Sequence, residues 1–186
     1  MPRLHEIHMR DPFILAVPEH RRHYLIGTPS YRTRGGAVSG HGSGLDLFHS
    51  VDLEIWDGPH TIFEPPDGFW GTHDFWAPEL HQYDGRFYLF CSFKAADACR
   101  GTHILVADDV MGPYRPLGEQ PHTPRDWECL DGTLHVDEHG SPWMVFCHEW
   151  VQVNDGEICA IRLSGDLSRP EDDPVVLFRA SEAPWV

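Results

Sequence analysis

Ala77-Pro78-Glu79-Leu80-His81-Gln82-Tyr83-Asp84-Gly85-Arg86-Phe87-Tyr88-Leu89-Phe90 is the stretch whose reading decides the fold. It begins with a short strand behind a proline-containing, acidic segment. A tight Asp84-Gly85 turn follows, in which glycine supplies a positive φ, and then an apolar, aromatic strand.

The same grammar extends to both sides. Upstream, Asp11-Pro12-Phe13-Ile14 leads to His23-Tyr24-Leu25-Ile26-Gly27-Thr28, then to Leu45-Asp46-Leu47-Phe48 and a closing segment at Asp52-Leu53-Glu54-Ile55-Trp56. Downstream, Leu130-Asp131-Gly132-Thr133-Leu134 leads through a His139-Gly140 turn to Pro142-Trp143-Met144-Val145-Phe146, then to Ile158-Cys159-Ala160-Ile161 and Asp166-Leu167. In each unit a longer loop precedes the third strand, and a fourth strand or turn closes the set. The central segments, at Tyr24, Tyr88 and Met144, lie about 60 residues apart. Four strands repeating at a period of roughly 40 to 50 residues mark the blades of a β-propeller. The longer spacing is expected where the loops of one face are enlarged for binding. No helical stripe of useful length interrupts the pattern. An open β-sandwich is the alternative, and the repeat favours the propeller. The expected fold is therefore all-β: one domain over residues 1–186 holding about three blades of a propeller.

Three blades do not close a ring, since propellers carry roughly four to eight. Sheet faces and edges are left uncovered. The reading therefore expects C-terminal blades to be missing or another chain to complete the open face, and self-association through the uncovered edges.

Charge narrows the partners. The chain carries 14 Lys and Arg against 29 Asp and Glu, a net −15 with histidine neutral. A nucleic-acid ligand or an anionic membrane surface would require a basic face, so both are excluded as expected partners. A neutral carbohydrate imposes no such requirement, and the seven Trp in an aromatic-rich chain suit sugar rings as well as they suit a β core. No run approaches the roughly 20 apolar residues of a membrane helix. The N-terminal Met1-Pro2-Arg3-Leu4-His5-Glu6 shows no secretory apolar region. Five Cys without a Cys-x-x-Cys pair read as free thiols, so a cytoplasmic location is expected.

The chemistry lies at the blade entrances. In a propeller the innermost strand of each blade lines the central channel, so polar residues that open those strands converge in space though distant in sequence. Asp11, Glu79 and Asp131 occupy these positions. Glycoside hydrolysis uses two carboxyl groups, one ionised and one protonated. Crowded acids divide their pKa values in this way because like charges resist joint ionisation. Taken singly, each acid also fits a turn: Asp before Pro and Asp before Gly are turn dipeptides. Three acids at equivalent positions favour function.

These same segments resemble glycoside hydrolase family 43. His8-Met9-Arg10-Asp11-Pro12-Phe13-Ile14 is similar to that family's opening. Phe75-Trp76-Ala77-Pro78-Glu79-Leu80-His81 resembles the segment that opens its second blade, and Leu130-Asp131-Gly132-Thr133-Leu134 with Asp137 and Gly140 the one that opens its third. The resemblance implies a five-bladed propeller of inverting hydrolases acting mainly on arabinose- and xylose-containing glycans. It implies that Asp11 is the general base that activates water and that Asp131 raises the pKa of the proton donor and orients it. The donor it implies is a Glu opening the fourth blade, and no matching motif follows here. Glu149, in Cys147-His148-Glu149-Trp150, is the substitute considered, against a reading as an ordinary loop residue. Glu79 is expected to contact a sugar hydroxyl or to be structural, Phe75 and Trp76 to wall a sugar ring, and His148, with His73 and His41, to reach the pocket. Trp70 and Trp150 are weaker wall candidates. Without a donor, a non-catalytic carbohydrate-binding chain is the rival reading.

Fourteen His raise the question of a metal, but no His-Glu-x-x-His or zinc spacing is present, so no metal residues are assigned. No cofactor is expected beyond an axial calcium implied by the resemblance, with no ligands identified. The glycine-rich run from Gly35 to Gly44 lacks the Lys-Ser/Thr of a phosphate loop and reads as a loop at the binding mouth or a long blade connection.

Overall fold

The computed structural model describes residues 1–29, 31–32, 38–39 and 44–184. The chain forms β1 (Met9–Val17), β2 (Arg22–Pro29), a two-residue pair β3 (Tyr31–Arg32) and β4 (Val38–Ser39), then β5 (Leu45–Ser50) and β6 (Asp57–Phe63). It continues with β7 (His73–Tyr83), β8 (Arg86–Ala95), β9 (Ala98–Ala107) and β10 (Arg115–Pro116). The last set is β11 (Cys129–Val136), β12 (Pro142–His148), β13 (Glu157–Arg162) and β14 (Val175–Arg179), with one helical turn, α1 (Trp150–Val153), between β12 and β13. These strands make three four-stranded antiparallel sheets in the orders β1-β2-β5-β6, β7-β8-β9-β10 and β11-β12-β13-β14. Each is a meander, and β7 lies against β1 and β2 while β11 lies against β7, β8 and β9. The first strands of successive sheets are thus neighbours, as the inner strands of propeller blades are. The expected three-bladed, all-β propeller arrangement is what forms.

Packing explains why the middle blade carries the most apolar sequence. One core lies between the first and second sheets and takes Phe87, Leu89, Cys91 and Phe93 from β8. A second core lies between the second and third sheets and takes the alternate residues Tyr88 and Phe90. Successive side chains of a strand point to opposite faces, so a strand covered on both sides is apolar throughout. The third blade has such cover on one side only. Along β12, Pro142, Met144, Phe146 and His148 are buried while Trp143, Val145 and Cys147 are half-buried.

The blades turn their outer corners with a repeated device. Ser50-Val51-Asp52-Leu53 and Ser164-Gly165-Asp166-Leu167 share a Ser-x-Asp-Leu pattern, and both leucines are left-handed, at φ 65° and 61°. Asp52 Oδ1 accepts the Glu54 and Ile55 amides, each at 2.9 Å. Asp166 Oδ1 accepts the Ser164 and Ser168 hydroxyls, each at 2.7 Å, which hold its carboxyl low, at about 2. The segment Asp52–Trp56 is therefore a corner, and the strand that closes the first blade is β6.

Candidate active site at the mouth of the inner strands

Every inner strand opens with the same irregularity. In β1 the pairing passes from Arg10↔Thr28 to Phe13↔Ile26, in β7 from Trp76↔Ser92 to Glu79↔Phe90, and in β11 from Leu130↔Cys147 to Thr133↔Val145. Two residues of the inner strand oppose one of its partner, a β-bulge, which bends the strand and re-aims a side chain. The first residue of each bulge is left-handed: Asp11 at φ 48°, Ala77 at 44° and Asp131 at 55°. This corrects the expected equivalence of three acids. Asp11 and Asp131 do share one structural position, but in the second blade it holds Ala77. Glu79 sits two residues further along, level with Phe13 and Thr133, because the bulge and not the nearest acid sets the register.

Hydroxyl groups tie one bulge to the next. Thr28, paired with Arg10 just before the first bulge, donates to Asp11 Oδ2 at 2.7 Å and accepts the Ala77 amide at 2.7 Å. Ser92, paired with Trp76 just before the second, accepts the Asp131 amide at 2.9 Å. Gly132 donates its amide to Thr102 Oγ1 at 3.1 Å. A Cβ on Gly132 would stand 2.6 Å from the Thr102 methyl, so the Asp131-Gly132 dipeptide is required by close approach of two blades.

Acids converge around Asp131. Enclosure, then the negative charges of Asp11, Glu79 and Glu149, push its carboxyl up to about 6, and Arg100 opposes them. Asp131 itself stays solvent-accessible at the mouth. Arg100, on β9, is buried. Its Nε donates to Glu149 Oε2 and its Nη2 to Asp74 Oδ2, both at 3.3 Å, and its guanidinium lies 3.9 Å from the centre of the Trp76 ring. Glu79 Oε2 accepts the Thr133 hydroxyl at 2.6 Å, with His81 Nε2 3.3 Å away. Arg100 is the residue that sequence reasoning missed. Its only signal was a cation opening an otherwise apolar strand, Ala98-Cys99-Arg100-Gly101-Thr102-His103-Ile104.

The structure thus brings Asp11, Asp131, Glu79, Glu149 and Trp76 to one mouth, but not Phe75 or His148. Phe75 is 1% exposed, its ring packed against Phe93 at 4.7 Å, so it is core and not a sugar wall. Its neighbour Trp76 reaches the mouth because the strand alternates, and Arg100 covers one face of its ring. His148 is buried; Nδ1 lies 3.2 Å from Glu157 Oε2 and Nε2 2.8 Å from Gln152 Oε1, and its ring stacks on Trp127 at 4.2 Å. Both ring nitrogens are engaged, so it is a structural residue. His73 lies on β7 beside Thr72. His41 and most of the glycine-rich run fall outside the described residues.

Among the described residues, one group of three metal-competent donors lies close together: His49, Asp57 and His60, within 4.8 Å of one another on β5 and β6. Arg22 Nη1 donates to His49 Nδ1 at 2.8 Å, which leaves the ring proton on Nε2, the atom facing Asp57. That group, two imidazoles and one carboxylate, is not the oxygen shell calcium takes.

Comparison with known proteins gives this geometry a lineage. The model of glycosyl hydrolases family 43 matches residues 5–186. An endo-arabinase structure from Bacteroides thetaiotaomicron superposes with a TM-score of 0.87 at 41% identity, over 98% of this chain and 60% of that one. An extracellular exo-α-(1→5)-L-arabinofuranosidase of Cellvibrio japonicus is 27% identical over 70% of this chain and 41% of its own length. An extracellular endo-α-(1→5)-L-arabinanase of Bacillus subtilis is 23% identical over 76% of this chain and 44% of its own. The chain thus spans less than half the length of these two curated relatives. Both are named extracellular, which overturns the cytoplasmic expectation. That expectation rested on an N-terminus without a secretory apolar region and on free thiols, yet Cys91, Cys129 and Cys159 are buried, where a thiol is inert in any compartment. With the family model covering nearly every residue and the bulged acids in register, the chain belongs to glycosyl hydrolases family 43.

Proposed function

We propose that this chain carries the water-activating side of a glycosidase that cleaves arabinose-containing glycans with inversion, Asp11 serving as general base and Asp131 as the acid that tunes the proton donor. The observation that carries the reading is the pairing of Asp11 and Asp131 at one left-handed bulge position, with the Asp131 carboxyl pushed up to about 6 in an acid-rich mouth. Glycoside hydrolysis uses carboxyl groups gathered at one site, where neighbouring negative charge makes a carboxyl hold its proton more tightly. Thr28 fixes one oxygen of Asp11 and so orients the carboxylate toward a water. An ionised Asp131 would hold a neighbouring donor protonated by like-charge repulsion. The names of the relatives support arabinose as the sugar.

One observation favours a second reading, binding without hydrolysis. Glu149, the candidate donor, is engaged as the ion-pair partner of Arg100. In the first reading, Asp11→Asn lowers turnover of arabino-oligosaccharides by about 10²–10⁴-fold while the melting temperature holds. NMR of the first-formed anomer reports inversion. Undiminished turnover in Asp11→Asn overturns the base; a parent chain that binds these sugars without cleaving them selects the second reading.

A further inference from the structure

Outside the acid cluster the structure holds a cavity of about 730 Å³, lined by Trp70, Asp97, Cys99, Gln120, Arg125 and Asp126 among others. It lies at the same end of the second sheet as the bulge of β7. β7 leaves the mouth at its bulge, β8 returns to it, and the turn from Ala95 to Ala98 edges the cavity. Glu128 links the two neighbourhoods: Lys94 Nζ donates to Glu128 Oε1 at 2.7 Å, and Glu128 Oε2 accepts the Arg100 amide at 2.9 Å. Cys99 faces the cavity and Arg100, the next residue, faces the acids.

We propose that this cavity is an accessory site for a neutral glycan, with Trp70 as its stacking platform and Gln120, Arg125 and the two aspartates as hydroxyl partners. The inference rests on the carbohydrate reading above and adds a second place where the polymer is held. Trp70 is fixed in advance. Its Nε1 donates to His103 Nδ1 at 3.0 Å, and its ring meets Phe93 edge-on at 6.2 Å. His103 remains an acceptor because burial, then His122, drops its pKa to about 3. An immobile indole offers a flat apolar face at little entropic cost, which suits the C–H face of a sugar ring. Asp97, Arg125 and Asp126 are exposed, and two carboxylates outweigh one guanidinium, so the lining carries no net positive charge that would select an anion. Planar amide, carboxylate and guanidinium groups pair well with adjacent hydroxyls. The volume falls within the roughly 300–1,000 Å³ usual for ligand sites.

The test is affinity electrophoresis of the full chain in gels containing soluble arabinan or xylan, alongside calorimetry with arabinotriose. Trp70→Ala is expected to weaken retention by the polymer about tenfold, the loss of one stacked aromatic contact, while trisaccharide binding at the mouth is unchanged. Because Trp70 also packs against Phe93, Gln120→Ala and Arg125→Ala provide exposed variants that leave the core intact. Each is expected to reduce retention several-fold. Parent-like retention in both exposed variants overturns the accessory site and leaves the function standing. A parent chain that binds neither polymer nor trisaccharide overturns the carbohydrate reading and this site with it.

Discussion

At the residue scale, Asp131 is the group whose environment does most to its chemistry. Its carboxyl titrates near 6 in the folded chain and near 3.8 when unfolded, so the folded state holds the proton more tightly. Stability therefore falls as pH rises between those two values, and the deficit is complete above about 6. Asp131→Asn removes that deficit. Asparagine tolerates the left-handed φ and keeps the amide bond to Ser92. The variant is expected to melt a few degrees higher than the parent at pH 7, with the gap closing by about pH 4. Solvent at the mouth keeps the effect small. Thermal melts across pH 4–8 check it, and a gap that is constant with pH would mean that packing, not charge, is responsible. The candidate acids were legible as residues: Asp11 and Asp131 stand where the sequence put them. Arg100 was not legible, because its role comes from contacts with Asp74, Trp76 and Glu149, up to 49 positions away in sequence.

At the element scale, the strands of each blade were legible and the bulges were not. Glycine turns and apolar runs are local, so Asp84-Gly85 and the Phe87–Phe93 strand declare themselves. A bulge adds one residue to one strand and shifts register by an amount that only the partner strand reveals. For that reason Glu79 was aligned with Asp11 and Asp131 where Ala77 belongs, and Phe75 was read as facing the ligand. The inter-blade hydroxyls show what holds the bulges in place. Thr28→Val leaves the Ala77 amide without its acceptor, and Ser92→Ala does the same to Asp131. Both hydroxyl residues are buried, at 1% and 0% exposed, so no water replaces them. Each substitution is expected to cost about 1–3 kcal/mol. Cys147 holds the same position in the third blade, and no described residue donates to it. Cys147→Ser is accordingly expected to change stability by less than about 0.5 kcal/mol. Urea unfolding of the three variants makes the comparison; equal losses would show that the position matters through packing and not through the amide it receives.

At the scale of the whole molecule, the sheets are unequally covered. The second sheet has a core on each face and the third has one. Cys147 pairs with Ile158 and Ile158 with Phe178, so these side chains share a face, the one turned away from the second blade. Phe178 is 50% exposed, and Val175 and Leu177 beside it are as open. An apolar face next to the free edge of β14 is a pairing surface. The opposing term is charge: at net −15, two copies repel each other at low ionic strength. That repulsion is screened beyond about 8 Å at physiological salt, whereas apolar burial is not weakened by salt. The chain of residues 1–186 is therefore expected to sediment as a monomer in dilute buffer and to associate when salt is raised. Phe178→Lys, which puts a charge in the middle of the apolar face, is expected to keep it monomeric at both salt levels. Sedimentation velocity distinguishes the terms. Association strongest at low salt would mean that ion pairs and not the uncovered face bring the copies together, and association unchanged in Phe178→Lys would place the contact elsewhere on the surface.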